Sequence, residues 1–201
     1  MSVFVPFPKI PRLFKDCTIT EKIDGTNACI VIAPNWNPPE GNEPCIDASV
    51  FAHGVQYAVW AQSRNKVITP GKQTDNAGFA AWVDANSVAL VETLGEGRHF
   101  GEWYGQGIQR GYGLDHKRFA LFNTRRWQYE ALEEVGIGLE CVPVLYEGPF
   151  DTDHVDSAMS NLIIAGSRAV PGFMRPEGVM VYHHGSGTMF KAPFDPNPKG
   201  Q

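Results

Sequence analysis

A chain of 201 residues, 43% of them hydrophobic and 11% aromatic, can bury a core without a disulfide or metal staple, and this excludes wholesale disorder. Its 17 basic and 22 acidic side chains leave a net charge of −5, so no overall positive field draws in a polyanion and any such site must be a local patch. The 21 glycines and 15 prolines favour many short strands joined by turns over a helical bundle.

The opening MSVFVPFPKIPRLF has no basic leader, no long apolar stretch and no small-residue cleavage site, and no apolar run reaches a membrane span. The chain therefore reads as soluble and cytoplasmic, with its first 16 residues an extended arm over the surface. Runs at Thr18–Ile23 and Asn27–Ala33 flank Asp24-Gly25 and predict a hairpin. Residues 34–44 read as a loop, strands follow at Ile46–Ala52 and Tyr57–Ser63, and a second loop spans Thr69–Thr74. Apolar residues from Phe79 to Leu90 recur at helical spacing, predicting one helix over Asp75–Leu94 that Gly95 ends. Short strands fit Arg98–Tyr104, Phe119–Asn123, Glu140–Tyr146, Val179–Tyr182 and Thr188–Lys191. Helices fit Arg126–Val135 and Thr152–Ala165, the second with Asp151 as N-cap. Strands outnumber helices without regular alternation, so the class is α+β with mainly antiparallel sheets. Cys17, Cys29, Cys45 and Cys141 form no Cys-x-x-Cys pair and read as reduced thiols in or near a core.

Six places carry residues with chemical potential. In Glu21-Lys22-Ile23-Asp24-Gly25-Thr26-Asn27, a lysine beside a tight turn is either a solvated surface group or an amine held to attack phosphorus once it loses its proton. In Phe100-Gly101-Glu102-Trp103-Tyr104-Gly105, a carboxylate at a strand end beside a glycine-rich run can accept from a sugar hydroxyl, the glycines 101, 105, 107, 111 and 113 letting backbone approach a ligand. Phe119 and Phe122 lie three apart on one strand and must point to opposite faces, one to the core and the other free to stack on a base. Glu177 opens an apolar strand, Lys191 ends a late one, and Ser63-Arg64-Asn65-Lys66 is a polar cluster after a strand. Taken alone, Glu177 and Lys191 each read as an ordinary solvated strand end.

Taken in order, the segments resemble the covalent nucleotidyltransferase superfamily of polynucleotide ligases and capping enzymes. EKIDGTN resembles motif I, SRNK the short motif after it, FGEWYG motif III, RFALF the aromatic strand that follows, PEGVMV motif IV and MFK motif V. The match covers residues 18–192 and is most similar to the RNA-ligase-2-like branch, which shares the Gly-Thr-Asn continuation and Gly-x-Gly-Ile-Gln after motif III. The resemblance implies an ATP-grasp-like nucleotidyltransferase domain with the nucleotide in a cleft between sheets, acting as an ATP-dependent RNA ligase through lysyl-AMP, in RNA repair. It implies that Lys22 is the nucleophile, that Glu21, Ile23 and Asn27 line the nucleotide pocket, and that Arg64 contacts ribose or phosphates. It further implies that Glu102 holds a ribose hydroxyl, Phe122 stacks on adenine, Glu177 organises Mg²⁺ or Mn²⁺, and Lys191 sits at the α-phosphate. The implied partner is RNA, as a nicked duplex or RNA/DNA hybrid, with a phosphate-facing patch of Arg64, Lys66, Arg110, Lys117, Arg118, Arg125 and Arg126.

Two departures stand out. Motif V usually carries Lys-x-Lys and here holds Lys191 alone; and the sequence ends about ten residues later, so residues 1–201 read as one adenylyltransferase domain with no appended C-terminal or OB domain, either a minimal ligase or one that needs an accessory nucleic-acid-binding protein for some steps. Compact solitary ligases of this kind resemble phage enzymes, which would place the chain in a host cytoplasm. The alternatives are a DNA-nick ligase, a capping-type guanylyltransferase, and a non-catalytic nucleotide-binding domain.

Overall fold

In chain order the elements are β1 (Asp16–Lys22), β2 (Thr26–Pro34), β3 (Asp47–Ala52), β4 (Val55–Ser63), β5 (Val67–Ile68), α1 (Phe79–Ala85), α2 (Ser87–Leu94) and β6 (Gly97–Gly105). They continue with β7 (Lys117–Leu121), α3 (Tyr129–Glu133), β8 (Leu139–Cys141), β9 (Val144–Pro149), α4 (Thr152–Ala165), β10 (Gly178–His183) and β11 (Thr188–Pro193). They are seen in a computed structural model that describes residues 3–36, 39, 44–127 and 129–195. The fold is α+β with mostly antiparallel sheets, and the chain divides into two compact units, Met1–Lys22 with Pro143–Gln201, and Ile23–Val142.

The first unit is a four-stranded antiparallel sheet in the order β11-β10-β1-β9. Alternation along β1 sends Cys17, Ile19 and Glu21 to one face, where Cys17 and Ile19 join Val179 and Val181 against Ala158 and Leu162 of α4. Asp151 caps α4 by accepting from Asp153 N–H at 3.0 Å, as its position predicts. The arm before β1 is irregular, as expected, and Phe7, Ile10 and Phe14 on it are exposed.

The second unit is a seven-stranded sheet in the order β3-β4-β2-β6-β7-β8, with β5 also on β4; every pairing is antiparallel except β7 with β8. One face packs on α1 and α2 around Ile30, Val59, Leu90 and a knot in which Phe79 and Trp82 meet each other and both Trp103 and Phe119, with ring centroids 5.0 to 5.9 Å apart. Dispersion and edge contacts among these four large rings add to what their burial contributes.

Four sequence expectations are corrected. The Asp24-Gly25 hairpin does not form: β1 pairs with β9 and β10, and β2 with β4 and β6. A two-residue type I′ turn needs positive φ at both positions. Neither Asp24 nor Gly25 has one, whereas His53 (φ 50) and Gly54 (φ 78) do, and they join β3 to β4. Gly25 answers to crowding instead, since a Cβ there would lie 2.4 Å from the Trp103 carbonyl oxygen. The single helix over Asp75–Leu94 is two, broken at Asn86 (φ −120, ψ 14), whose Nδ2 donates to Trp82 O at 2.7 Å and competes with the backbone ladder. Asp75 stands outside the helix and accepts from the N–H groups of Ala80 (2.7 Å) and Ala81 (3.0 Å). The strand expected over Glu140–Tyr146 is split between sheets, because Pro143 has no N–H for a ladder. The third helix is shorter than Arg126–Val135, with residue 128 outside the described residues. Of the 34–44 loop, residues 37–38 and 40–43 also lie outside them.

Candidate active site

Lys22 ends β1 opposite Gly178, the residue that follows Glu177. Its Nζ donates to Glu177 Oε2 at 2.5 Å, with the two side chains 22% and 15% exposed. A pair this enclosed is screened less than a surface pair, so geometry rather than solvent sets how it behaves. Register extends the site across the sheet. Thr20 and Lys22 share a face by alternation, Thr20 faces Met180, and Met180 faces Lys191, so Lys191 lies on the face of Lys22. The Lys191 side chain is exposed and makes no hydrogen bond or ion pair among the described residues.

Glu21 goes the other way. It sits on the α4 face, 1% exposed, and its Oε2 accepts from Arg168 N–H at 2.6 Å and Ala169 N–H at 3.0 Å. Burial pushes its carboxyl above the ordinary range against the pull of these donors. The structure thus separates Glu21 from Lys22 by a sheet's thickness and occupies its carboxylate with the 168–169 backbone.

In the second unit, pairing brings three expected residues together. Asn27 on β2 faces Glu102 on β6, Glu102 faces Ala120 on β7, and Phe122 N–H donates to Phe100 O at 3.0 Å just past β7. All lie on the sheet face away from α1 and α2. Phe119 is wholly buried in the core and Phe122 half-buried, the division of labour their spacing predicts. Ile23 is 4% exposed, and Arg64 sits exposed in the turn between β4 and β5.

The phosphate-facing patch needs correction. Arg110 is paired with Asp24, Lys117 Nζ donates to Ala77 O, Arg118 meets Glu140 and His116, and Arg126 donates to Leu94 O over the Trp127 ring. These cations are committed to internal acceptors, which sequence clustering cannot reveal. Arg64, Lys66 and Arg125 remain exposed, with no side-chain partner among the described residues.

Sequence reasoning also missed a buried network beside Glu102. The Tyr104 hydroxyl donates to Glu140 Oε1, Arg118 lies 3.6 Å from Glu140 Oε2, and Tyr104 packs edge-on to Tyr112 at 5.2 Å. Burial raises the Glu140 carboxyl above its ordinary range, and burial beside that carboxylate raises the Tyr104 phenol. The available signal was Glu140 itself, a charged residue between Leu139 and Cys141 in an apolar strand.

No group of three or more His, Cys, Asp or Glu side chains is placed to cage a metal among the described residues. Glu177 offers a hard oxygen donor, which fits Mg²⁺ or Mn²⁺ completed by water and phosphate oxygens better than a soft-ligand metal.

A sequence model of the RNA ligase family matches residues 15–192. The chain belongs to the RNA ligase family. Among solved structures it is similar to a Naegleria gruberi RNA ligase variant with ATP and Mn, at 16% identity and TM-score 0.51, over 90% of this chain and 50% of that one. It is also similar to an apo variant of Naegleria gruberi RNA ligase R4a, at 16% identity and TM-score 0.51, over 96% of this chain and 57% of that one. At such identity the likeness shows the common fold, and this chain spans about half the length of the ligases it matches. No curated protein sequence matches it. Membership places the six matched segments of this RNA ligase homologue, from Lys22 to Lys191, inside the region that the family shares.

Proposed function

We propose that this chain is an ATP-dependent RNA ligase that works through a lysyl-AMP intermediate on Lys22. The observation that carries the reading is the 2.5 Å pair between Lys22 Nζ and Glu177 Oε2, an amine and a carboxylate from segments 155 residues apart that the fold holds together within a family-matched region. After losing its proton, the Lys22 amine attacks the α-phosphorus of ATP, forming a P–N bond as the P–O bond to pyrophosphate breaks. The AMP passes to an RNA 5′-phosphate, and a 3′-hydroxyl then displaces AMP to form the phosphodiester. Nucleotidyl transfer rewards in-line positioning and charge neutralisation above other devices. Lys191, on the face of Lys22, supplies positive charge at the α-phosphate. Glu177 would hold Mg²⁺ or Mn²⁺, which when bound neutralises phosphate charge.

Glu102 receives a ribose hydroxyl, Phe122 stacks on adenine, and Asn27 completes that face. Arg64 reaches ribose or phosphate. Glu21 and Ile23 contribute through the backbone they fix beside Lys22, since both side chains are buried. The substrate is an RNA end bearing a 5′-phosphate in a nicked duplex or RNA/DNA hybrid. With only Arg64, Lys66 and Arg125 uncommitted in the expected patch, an accessory protein would strengthen the grip on RNA. Four free cysteines support a reducing compartment, hence the cytoplasm, and no described helix is long and apolar enough to cross a membrane.

Intact-mass spectrometry after ATP and Mg²⁺ is expected to show one AMP adduct, mapped to Lys22 and absent from Lys22→Ala. Label from GTP instead of ATP would move the reading to capping chemistry. Sealing of DNA nicks but not RNA nicks would move it to DNA repair, and a folded protein with no adduct would overturn it.

A further inference from the structure

The segment from Gly105 to Gly113 reads in sequence as backbone made thin for a ligand. Its conformation has another consequence. Gln109 and Tyr112 hold φ +44 and +53, the left-handed region where side-chain-bearing residues are uncommon. This course delivers two groups to one residue. Arg110 Nε donates to Asp24 Oδ2 at 2.8 Å, and the Tyr112 hydroxyl oxygen accepts from Asp24 N–H at 2.8 Å. Tyr112 is 2% exposed, and its ring leans on Tyr104, which is itself tied to Glu140. Asp24 is thus held at both backbone and side chain, two residues beyond Lys22. Ile23, the one residue between them, is 4% exposed.

We propose that Arg110 and Tyr112 are positioning residues for the nucleophile: by clamping Asp24 they fix the direction from which the chain leaves Lys22, and with it where the amine is presented. Lys22 itself is held by its β1–β10 register with Gly178, and the clamp holds the chain two residues further on, at Asp24. Misplacing a nucleophile by a fraction of an ångström costs rate and leaves ground-state binding of substrate almost untouched. The inference rests on the ligase reading for its rate prediction, and on geometry alone for the restraint on Lys22.

The test uses the full chain and its Arg110→Ala, Arg110→Lys, Tyr112→Phe and Asp24→Asn variants. Single-turnover Lys22–AMP formation is followed by intact mass over a range of ATP concentrations, alongside thermal melting. Arg110→Ala and Tyr112→Phe are expected to slow the maximal rate about tenfold or more while the half-saturating ATP moves less than about twofold. Arg110→Lys is expected to recover part of the rate, and Arg110→Ala with Asp24→Asn together to be no slower than the slower single variant. A wild-type maximal rate in folded variants would overturn the proposal, as would a loss confined to half-saturating ATP or one that the lysine does not recover and that tracks melting temperature alone. If the wild type forms no adduct, the ligase reading falls. Competitive acetylation of Lys22 against Lys191 then decides the clamp: a changed ratio in Arg110→Ala and Tyr112→Phe supports it, and an unchanged one sinks it.

Discussion

A lysine and a carboxylate 2.5 Å apart look like an ordinary ion pair until their partners are counted. Glu177 is the partner that the fold gives Lys22, whereas the Lys191 side chain on the same face has no competing partner among the described residues. Glu21 shows how far neighbours in sequence diverge in space, since alternation alone sends its carboxylate to the α4 face and the 168–169 amides. The cysteines give a residue-level test. Burial raises the Cys29 and Cys141 thiols to about 12 and raises Cys17 and Cys45 as well, so access decides among them: Cys45 alone is not fully buried. Only thiolate reacts with iodoacetamide. Native protein at mildly alkaline pH is therefore expected to alkylate at half-buried Cys45 first, with Cys17, Cys29 and Cys141 following only in denaturant, as peptide mapping would show. Early labelling of Cys29 or Cys141 would contradict their packing.

At the scale of elements, local signals predicted most strands and failed where one side chain redirected the backbone. Helical periodicity runs through Asn86, yet its amide bonds Trp82 O and splits the helix; the pattern records which face is buried and not where the hydrogen bonds stop. Asp75 was read as helical and is a cap, accepting from Ala80 and Ala81 N–H groups that would otherwise be unsatisfied. Asp75→Ala should cost about 0.5 to 2 kcal/mol in a urea titration, the range for removing a helix N-terminal acceptor, and Asp75→Asn less. No change in the midpoint would mean that water replaces the cap. Asp-Gly failed as a hairpin signal for a reason of the same kind: Arg110 and Tyr112 hold Asp24 in a course that β1 and β2 leave toward different sheets.

At the scale of the molecule, each unit buries, among the described residues, one carboxyl whose ionisation is disfavoured, Glu21 in the first and Glu140 in the second. A carboxyl raised above its ordinary 4.5 binds its proton more tightly folded than unfolded. Its contribution to stability is therefore complete at low pH and is lost as the pH climbs from the unfolded value through the folded one. Glu140→Gln keeps an acceptor for Tyr104 and removes the titration. Its urea midpoint should gain on the wild type as the pH rises from about 5 to about 8. A constant gap between the two proteins across that span would show that Glu140 titrates normally.

Composition, alternation and six ordered motifs sufficed to place the chain among mainly antiparallel α+β nucleotidyltransferases and to single out Lys22, Glu102, Phe122, Glu177 and Lys191, because those signals are carried by residue types at fixed local spacing. Which cations are spent on internal acceptors, which way Glu21 faces, and what restrains Asp24 depend on strand order and register. Those are set by long-range packing, since Asp24 for Arg110, Ala77 for Lys117, Glu140 for Arg118, Leu94 for Arg126 and the 168–169 amides for Glu21 all lie tens of residues or more away along the chain, outside any local window.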